Sequence, residues 1–105
     1  MKKITQKLKE KIVKALEPIN AKKIILFGSY AYGTPNEDSD LDICVVEENY
    51  TNKWEEKNKI RKYLNFLDMS IDILNPKIDE YEFYKNECGS VYKDIEDRGV
   101  VLWSF

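Results

Sequence analysis

The sequence predicts a single small α/β (α+β) domain, and three observations carry that reading. Its 105 residues are 43% hydrophobic and 34% charged, with only 4 Gly and 3 Pro, the balance of one globular core. Short β-branched and apolar runs recur at Lys23–Phe27, Leu41–Val46 and 70–74, each long enough for a buried strand. The intervening segments place apolar residues at helical spacing. A chain of this length buries roughly 65% of the surface its unfolded form exposes, so residues 1–105 are expected to form one domain with no second lobe.

Each element follows from its residues. Ile4, Leu8, Ile12, Ala15, Leu16 and Ile19 recur every three or four positions, which predicts an amphipathic helix over 3–16, ended by Pro18 and lysine-rich on its other side. Lys23–Phe27 is a strand stopped by Gly28, and 34–39, with Pro35 and Asn36, is turn-forming. Leu41–Val46 is the second strand. The pairs Ile60/Leu64 and Tyr63/Leu67 predict a helix over 53–67, with Trp54 earlier on it, and 70–74 is the third strand. Pro76 can open a helix at its first turn, and Tyr81 and Tyr84 carry helical spacing through 80–87. Ser90 caps a helix over 91–97, Gly99 is its C′ residue, and 100–103 is a last strand or extended tail.

Composition removes several chemistries. With 0 His there is no histidine base, no Ser/His/Asp or Cys/His arrangement and no His zinc ligand. Cys44 and Cys88 are too far apart for a CxxC motif and read as reduced thiols, which with the absence of a secretory pattern at residues 1–5 leads to the expectation of a cytoplasmic protein. No apolar stretch approaches the ~20 residues of a membrane span. Charge is uneven: residues 1–23 hold 8 Lys against Glu10 and Glu17, whereas the rest carries 9 basic and 17 acidic residues. That lysine-rich segment reads as a solvated helix face or as a face for a partner. No nucleic-acid-binding motif accompanies it, so direct nucleic-acid binding is not predicted.

Three acids remain to carry chemistry. Asp40 and Asp42 share one side of a strand while Leu41, Ile43 and Val45 take the other, and Asp72 sits between Ile71 and Ile73. If the second and third strands are neighbours, the three form a cluster. Repulsion raises the pKa values of crowded carboxylates, and a divalent cation reverses the penalty; hard oxygen donors in an incomplete cage suit Mg²⁺, and two such ions serve phosphoryl or nucleotidyl transfer. Taken singly, Asp40 also reads as a turn residue, and Asp42 and Asp72 as acids on a solvated strand face. Gly28 and Ser29, placed between a strand and a short helix, suit a phosphate cradle: glycine lets the backbone approach an anion, and free amides with a hydroxyl point at it. The same pair also reads as an ordinary turn. It is neither a P-loop nor a dinucleotide fingerprint.

Together, GSYAYGTPNEDSDLDICVV followed by SIDIL resembles the DNA polymerase β-like nucleotidyltransferase superfamily, in particular its minimal MNT-type members. Gly28 and Ser29, ten intervening residues, Asp40 and Asp42 separated by one residue, and Asp72 on a later strand occupy the pattern in order. The stretch 89–103 is similar to the usual ending of these proteins. The resemblance implies a nucleotidyltransferase fold, a small mixed sheet with helices packed mainly on one face. It implies Gly28, Ser29 and Ser39 at the nucleotide, Asp40 and Asp42 on two Mg²⁺ ions, and Asp72 on one ion while assisting deprotonation of an acceptor hydroxyl. Tyr32 stands where many members have Arg, which removes a cation from beside the phosphates.

MNT proteins of this size resemble antitoxins paired with helical HEPN ribonucleases. The resemblance therefore implies transfer of AMP from ATP to a protein hydroxyl, a tyrosine of a cognate HEPN-type toxin, with release of pyrophosphate. Two alternatives stand beside it: a binding antitoxin with little or no catalysis, and transfer to a small molecule completed by a separate acceptor-binding subunit. A homo- or hetero-oligomer is compatible with each. Of the 7 Tyr, 4 Phe and 2 Trp, those at helical spacing such as Trp54, Tyr63 and Tyr84 are expected in the core, while Trp103 and Phe105 dock on a partner or close the sheet.

Overall fold

A computed structural model describes residues 5–32, 40–67 and 69–104. Helix α1, Gln6–Ala15, starts where the Thr5 hydroxyl accepts the amide of Leu8, and it closes into a 3-10 turn at Glu17–Ile19 that contains Pro18. Ile12, Leu16 and Ile19 are buried as the periodicity requires; Ile4 lies outside the described residues. Strand β1, Lys23–Phe27, leads through Gly28 into the short helix α2, Ser29–Tyr32. Strand β2, Leu41–Val46, is followed by α3, Lys53–Tyr63, capped by the Asn52 side chain, and by β3, Ile71–Leu74. Helices α4, Ile78–Tyr84, and α5, Val91–Arg98, precede β4, Val100–Ser104.

The strands form one sheet in the order β3-β2-β1-β4. β1 is antiparallel to both β2 and β4, while β2 and β3 are parallel, so the sheet is mixed. The parallel pair demands a crossover, and α3 provides it. Alternation sorts the side chains onto two faces. Ile24, Leu26, Leu41, Ile43, Val45 and Ile73 join Ile12, Leu16, Ile60 and Leu64 in the larger core, beneath α1 and α3. Ile25, Cys44 and Val46 face a smaller core closed by Tyr81 of α4 and Ile95 of α5. The main helical layer is on one face, with a thinner second layer opposite.

Several sequence expectations are corrected. The crossover helix stops at Tyr63, and the chain turns through Leu64 and Leu67, both of which still reach the core. Trp54, Tyr63 and Tyr84 are exposed, Trp54 at 74%, because burying Ile60 and Leu64 turns other sides of the helix to solvent and because Tyr81, not Tyr84, faces the sheet. Pro76 does not open α4, whose N-cap is Lys77; its carbonyl instead accepts the amide of Glu47. Gly99 is extended, φ −69°, not left-handed. It is required for another reason: a Cβ there would lie 2.6 Å from Cγ2 of Ile25 and 2.5 Å from the Ile95 carbonyl oxygen. The tail is a strand, and Trp103 packs half-buried on the larger core. Phe105 and the 34–39 turn fall outside the described residues.

Candidate active site

Three chain segments meet at one end of the sheet. β1 ends at Phe27, opposite Asp42 near the start of antiparallel β2, and the parallel register sets Asp42 beside Asp72. Partners in register project to the same side of a sheet. The alternation that sends Leu41, Ile43 and Ile71 into the larger core therefore turns both carboxylates to the face of the smaller one, at the end α4 and α5 leave uncovered. Asp42 is half-buried and Asp72 exposed. Asp40, just before the strand, is exposed and close enough to act electrostatically on Asp42. Burial, then the charge of Asp72, then that of Asp40 hold the Asp42 carboxyl above its ordinary range.

Gly28 makes room for this carboxylate. Its φ is +73°, and a Cβ at this position would sit 1.9 Å from Oδ2 of Asp42 and 2.9 Å from its Cγ. Strand β1 is thus followed by a left-handed residue, and the space its missing side chain would take is filled by the carboxylate of the neighbouring strand. Ala31 donates its amide to the Gly28 carbonyl, folding the chain at once into α2, of which Ser29 is the first residue. Gly28 and the Ser29 backbone are thereby brought beside the acids, whereas Ser39 lies outside the described residues.

Hard carboxylate oxygens that repel one another suit a divalent cation, which would offset the cost of burying Asp42 beside Asp72. The donor set therefore fits Mg²⁺ chemically. Among the described residues no three His, Cys, Asp or Glu side chains are gathered into a metal-binding group, so substrate phosphates and water would have to complete the coordination. Phe27, which the sequence reading passed over, packs with the smaller core and stands in register with Asp42, giving the carboxylate an apolar neighbour. The signal was available in the alternation of Ile25 and Phe27 along β1.

A second polar centre lies at the other end of β2. Glu47 and Asn75 are 4% and 2% exposed. Nδ2 of Asn75 donates to the Val45 carbonyl at 2.8 Å and to Oε2 of Glu47 at 2.9 Å, and the Tyr50 hydroxyl donates to the Asn75 carbonyl at 2.6 Å. Burial and a side-chain hydrogen bond with Glu56 push Glu47 up to about 8, so it holds a proton at neutral pH. This corner ties α3 to the sheet and contributes nothing to the carboxylate cluster.

The chain belongs to the nucleotidyltransferase domain family, which matches residues 6–102. It is similar to Putative protein adenylyltransferase MJ0141 of Methanocaldococcus jannaschii, with 39% identity over 80 residues, 74% of this chain and 75% of that protein. A crystal structure of a toxin-antitoxin with AMP-PNP shares 27% identity at a TM-score of 0.61, covering 92% of this chain and 73% of that one. The fold is shared with a structure of the tri-AMPylated Shewanella oneidensis HEPN toxin in complex with MNT antitoxin, at 24% identity and a TM-score of 0.56, covering 96% of this chain and 74% of that one. Among the described residues no helix is long and apolar enough to cross a membrane.

Proposed function

We propose that this protein transfers AMP from ATP to a tyrosine hydroxyl of a HEPN-type toxin and so acts as its antitoxin. The observation that carries the reading is the register of Asp42 with Asp72 beside Gly28, an acidic pair next to a backbone turn open to phosphate. The relatives support the chemistry: one bears the name of a protein adenylyltransferase, and a structural neighbour is a toxin-antitoxin with the ATP analogue AMP-PNP.

In this reading Gly28, Ser29 and Ser39 bind and orient the triphosphate. Asp40, Asp42 and Asp72 would hold Mg²⁺, which when bound neutralises phosphate charge. Asp72, exposed at the rim, also takes the proton of the incoming hydroxyl. The hydroxyl oxygen forms a bond to the α-phosphorus, the bond from that phosphorus to the bridging oxygen breaks, and pyrophosphate departs. In this reading the acceptor hydroxyl is presented by the partner protein.

Incubation with α-labelled ATP, Mg²⁺ and a HEPN-type partner is expected to label the partner. Replacement of Asp40 and Asp42 by Ala abolishes the label in this mechanism; undiminished labelling by the double variant would overturn it. The second reading, neutralisation by binding alone, is motivated by Tyr32 where a cation is common. It requires that the partner be inhibited without ATP and equally well by the aspartate variants.

A further inference from the structure

The two acids set in register are not equally supported. Asp42 stands on β2, between β1 and β3, whereas Asp72 stands on β3, four residues long and at the edge of the sheet. Among the described residues no strand lies on the outer side of β3, so its ladder holds it from one side only. The transfer proposed above nevertheless depends on the direction of Asp72. The leaving oxygen departs on the β1 side, where Gly28 lies, and the attacking hydroxyl comes in line from the β3 side, where Asp72 takes its proton.

The free side of β3 is closed at one point. The Ser70 carbonyl accepts the amide of Leu41 at 2.9 Å, so residues 70 and 72 turn their main-chain groups toward β2 and Ile71 turns its own outward, as a parallel ladder requires. Nη1 of Arg61 donates to that outward carbonyl at 3.3 Å. The Ile71 carbonyl and the Asp72 amide belong to one planar peptide unit, which therefore has β2 on its nitrogen side and Arg61 on its oxygen side. Arg61 reaches this place because α3 runs back from the end of β2 to the start of β3, and burying Ile60 and Leu64 sets its last turn level with Ile71. The guanidinium is a rigid, permanently charged donor. It is also exposed, so removing it leaves both cores untouched.

We propose that Arg61 is a positioning residue for the transfer reaction: from α3 it fixes the Ile71–Asp72 peptide and so aims the Asp72 carboxylate at the acceptor side of the site. The inference rests on the transfer proposed above. It assigns Arg61 no contact with ATP, because β2 separates β3 from the turn at Gly28, two strand spacings or ~10 Å away.

Arg61→Ala is expected to lower turnover at saturating ATP and HEPN-type partner on the order of 10-fold, less than the ~100-fold cost of a full 1 Å misplacement. KM for ATP should stay within about twofold and the melting temperature within about 2 °C, since the position is exposed. Arg61→Lys, which keeps a charged donor, should return to within about threefold of the parent. Exchange of the Asp72 amide should quicken at least about fivefold in Arg61→Ala, while that of Val45, inside the sheet, is unchanged. Turnover within twofold of the parent, a loss carried by KM for ATP, or a loss that accompanies a fall in melting temperature of more than about 5 °C would each overturn the proposal. A parent that labels no HEPN-type partner defeats the transfer reading itself; the exchange rates then decide the placement of Arg61 on their own, and an unchanged Asp72 rate overturns it.

Discussion

The Asp42 carboxylate occupies the space a side chain on Gly28 would need: Oδ2 stands 1.9 Å from the position of the absent Cβ. Two strands are thereby fitted to each other through an omission: the residue that follows β1 has no side chain, and the acid at the second position of β2 fills the gap. The contact also makes Asp42 half-buried, which with Asp72 beside it raises its pKa. Space, charge and backbone conformation are coupled at this one point.

Gly28→Ala tests that coupling. Alanine must either displace the Asp42 carboxylate or shift the turn, and it pays ~1 kcal/mol for the left-handed backbone at φ +73°. The expected outcome is a loss of transferase activity on the order of 100-fold, the scale of a misplacement of about 1 Å, with a melting temperature lowered by several degrees. Retention of full activity would show that Asp42 is not held by this contact.

Asp42→Asn separates stability from function. A carboxyl with a raised folded-state pKa binds its proton more tightly folded than unfolded, so its contribution declines as pH rises from the unfolded value, ~3.9, through the raised folded one. At neutral pH without divalent ions, the Asn variant should melt about 2–4 °C higher than the parent, a small gain because the site is partly solvated. Thermal scans at pH 4 and pH 7, with and without Mg²⁺, check this. Mg²⁺ should stabilise the parent and leave the variant nearly unmoved.

At the opposite end of β2, Glu47 provides a clearer pH signature. Its pKa is pushed up to about 8 by burial and by the hydrogen bond with Glu56, against 4.5 ordinarily, so stability associated with this group is lost progressively between pH ~4.5 and ~8. Gln keeps both functions of the protonated acid, accepting from Asn75 and donating to Glu56, without ionising. Glu47→Gln should therefore flatten the pH dependence of urea unfolding across that window and be more stable than the parent at pH 8.5. Glu47→Ala leaves Asn75 Nδ2 with the Val45 carbonyl alone and should cost about 2 kcal/mol at pH 5.

The distance between sequence and structure is instructive residue by residue. Strands Lys23–Phe27 and Leu41–Val46 were legible to their boundaries because each is a short run rich in β-branched and apolar residues, the second interrupted only by Asp42, with Gly28 closing the first and the turn-forming sequence 34–39 preceding the second. The convergence of Asp42 and Asp72 was conditional on which strands are neighbours, and alternation alone decided only which face each acid takes. The Gly28–Asp42 contact was not legible, since it depends on the closeness of two backbones in three dimensions. Glu47 and Asn75 were missed because a polar residue just past a strand resembles a turn residue, and only burial by α3 and the strand β3 turns the two into a network. Gly99 was found for the wrong reason: it is needed for close packing against Ile25, not for a left-handed cap.

Aromatic residues expose the same limit and supply a last test. Helical spacing cannot rank Tyr81 above Tyr84 or Trp54, because a helix without a strongly one-sided pattern has no unique inward face. The sheet decides. Tyr81 is fully buried against Ile25, Cys44 and Val46, with its ring edge-on to Tyr92 at 5.8 Å and its hydroxyl donating to Glu96, which also lies 3.8 Å from Lys23. Tyr81→Ala should cost ~3–5 kcal/mol through the cavity it leaves, enough to threaten a domain of this size. Tyr81→Phe keeps the ring and loses only the bond to Glu96, for about 1 kcal/mol, as the Lys23 ammonium still accompanies that carboxylate. Trp54→Ala, at a position 74% exposed, should change stability by less than ~0.5 kcal/mol. Chemical denaturation of the three variants distinguishes these outcomes, and a Trp54 effect as large as that of Tyr81→Ala would mean that α3 turns a different side to the sheet from the one described.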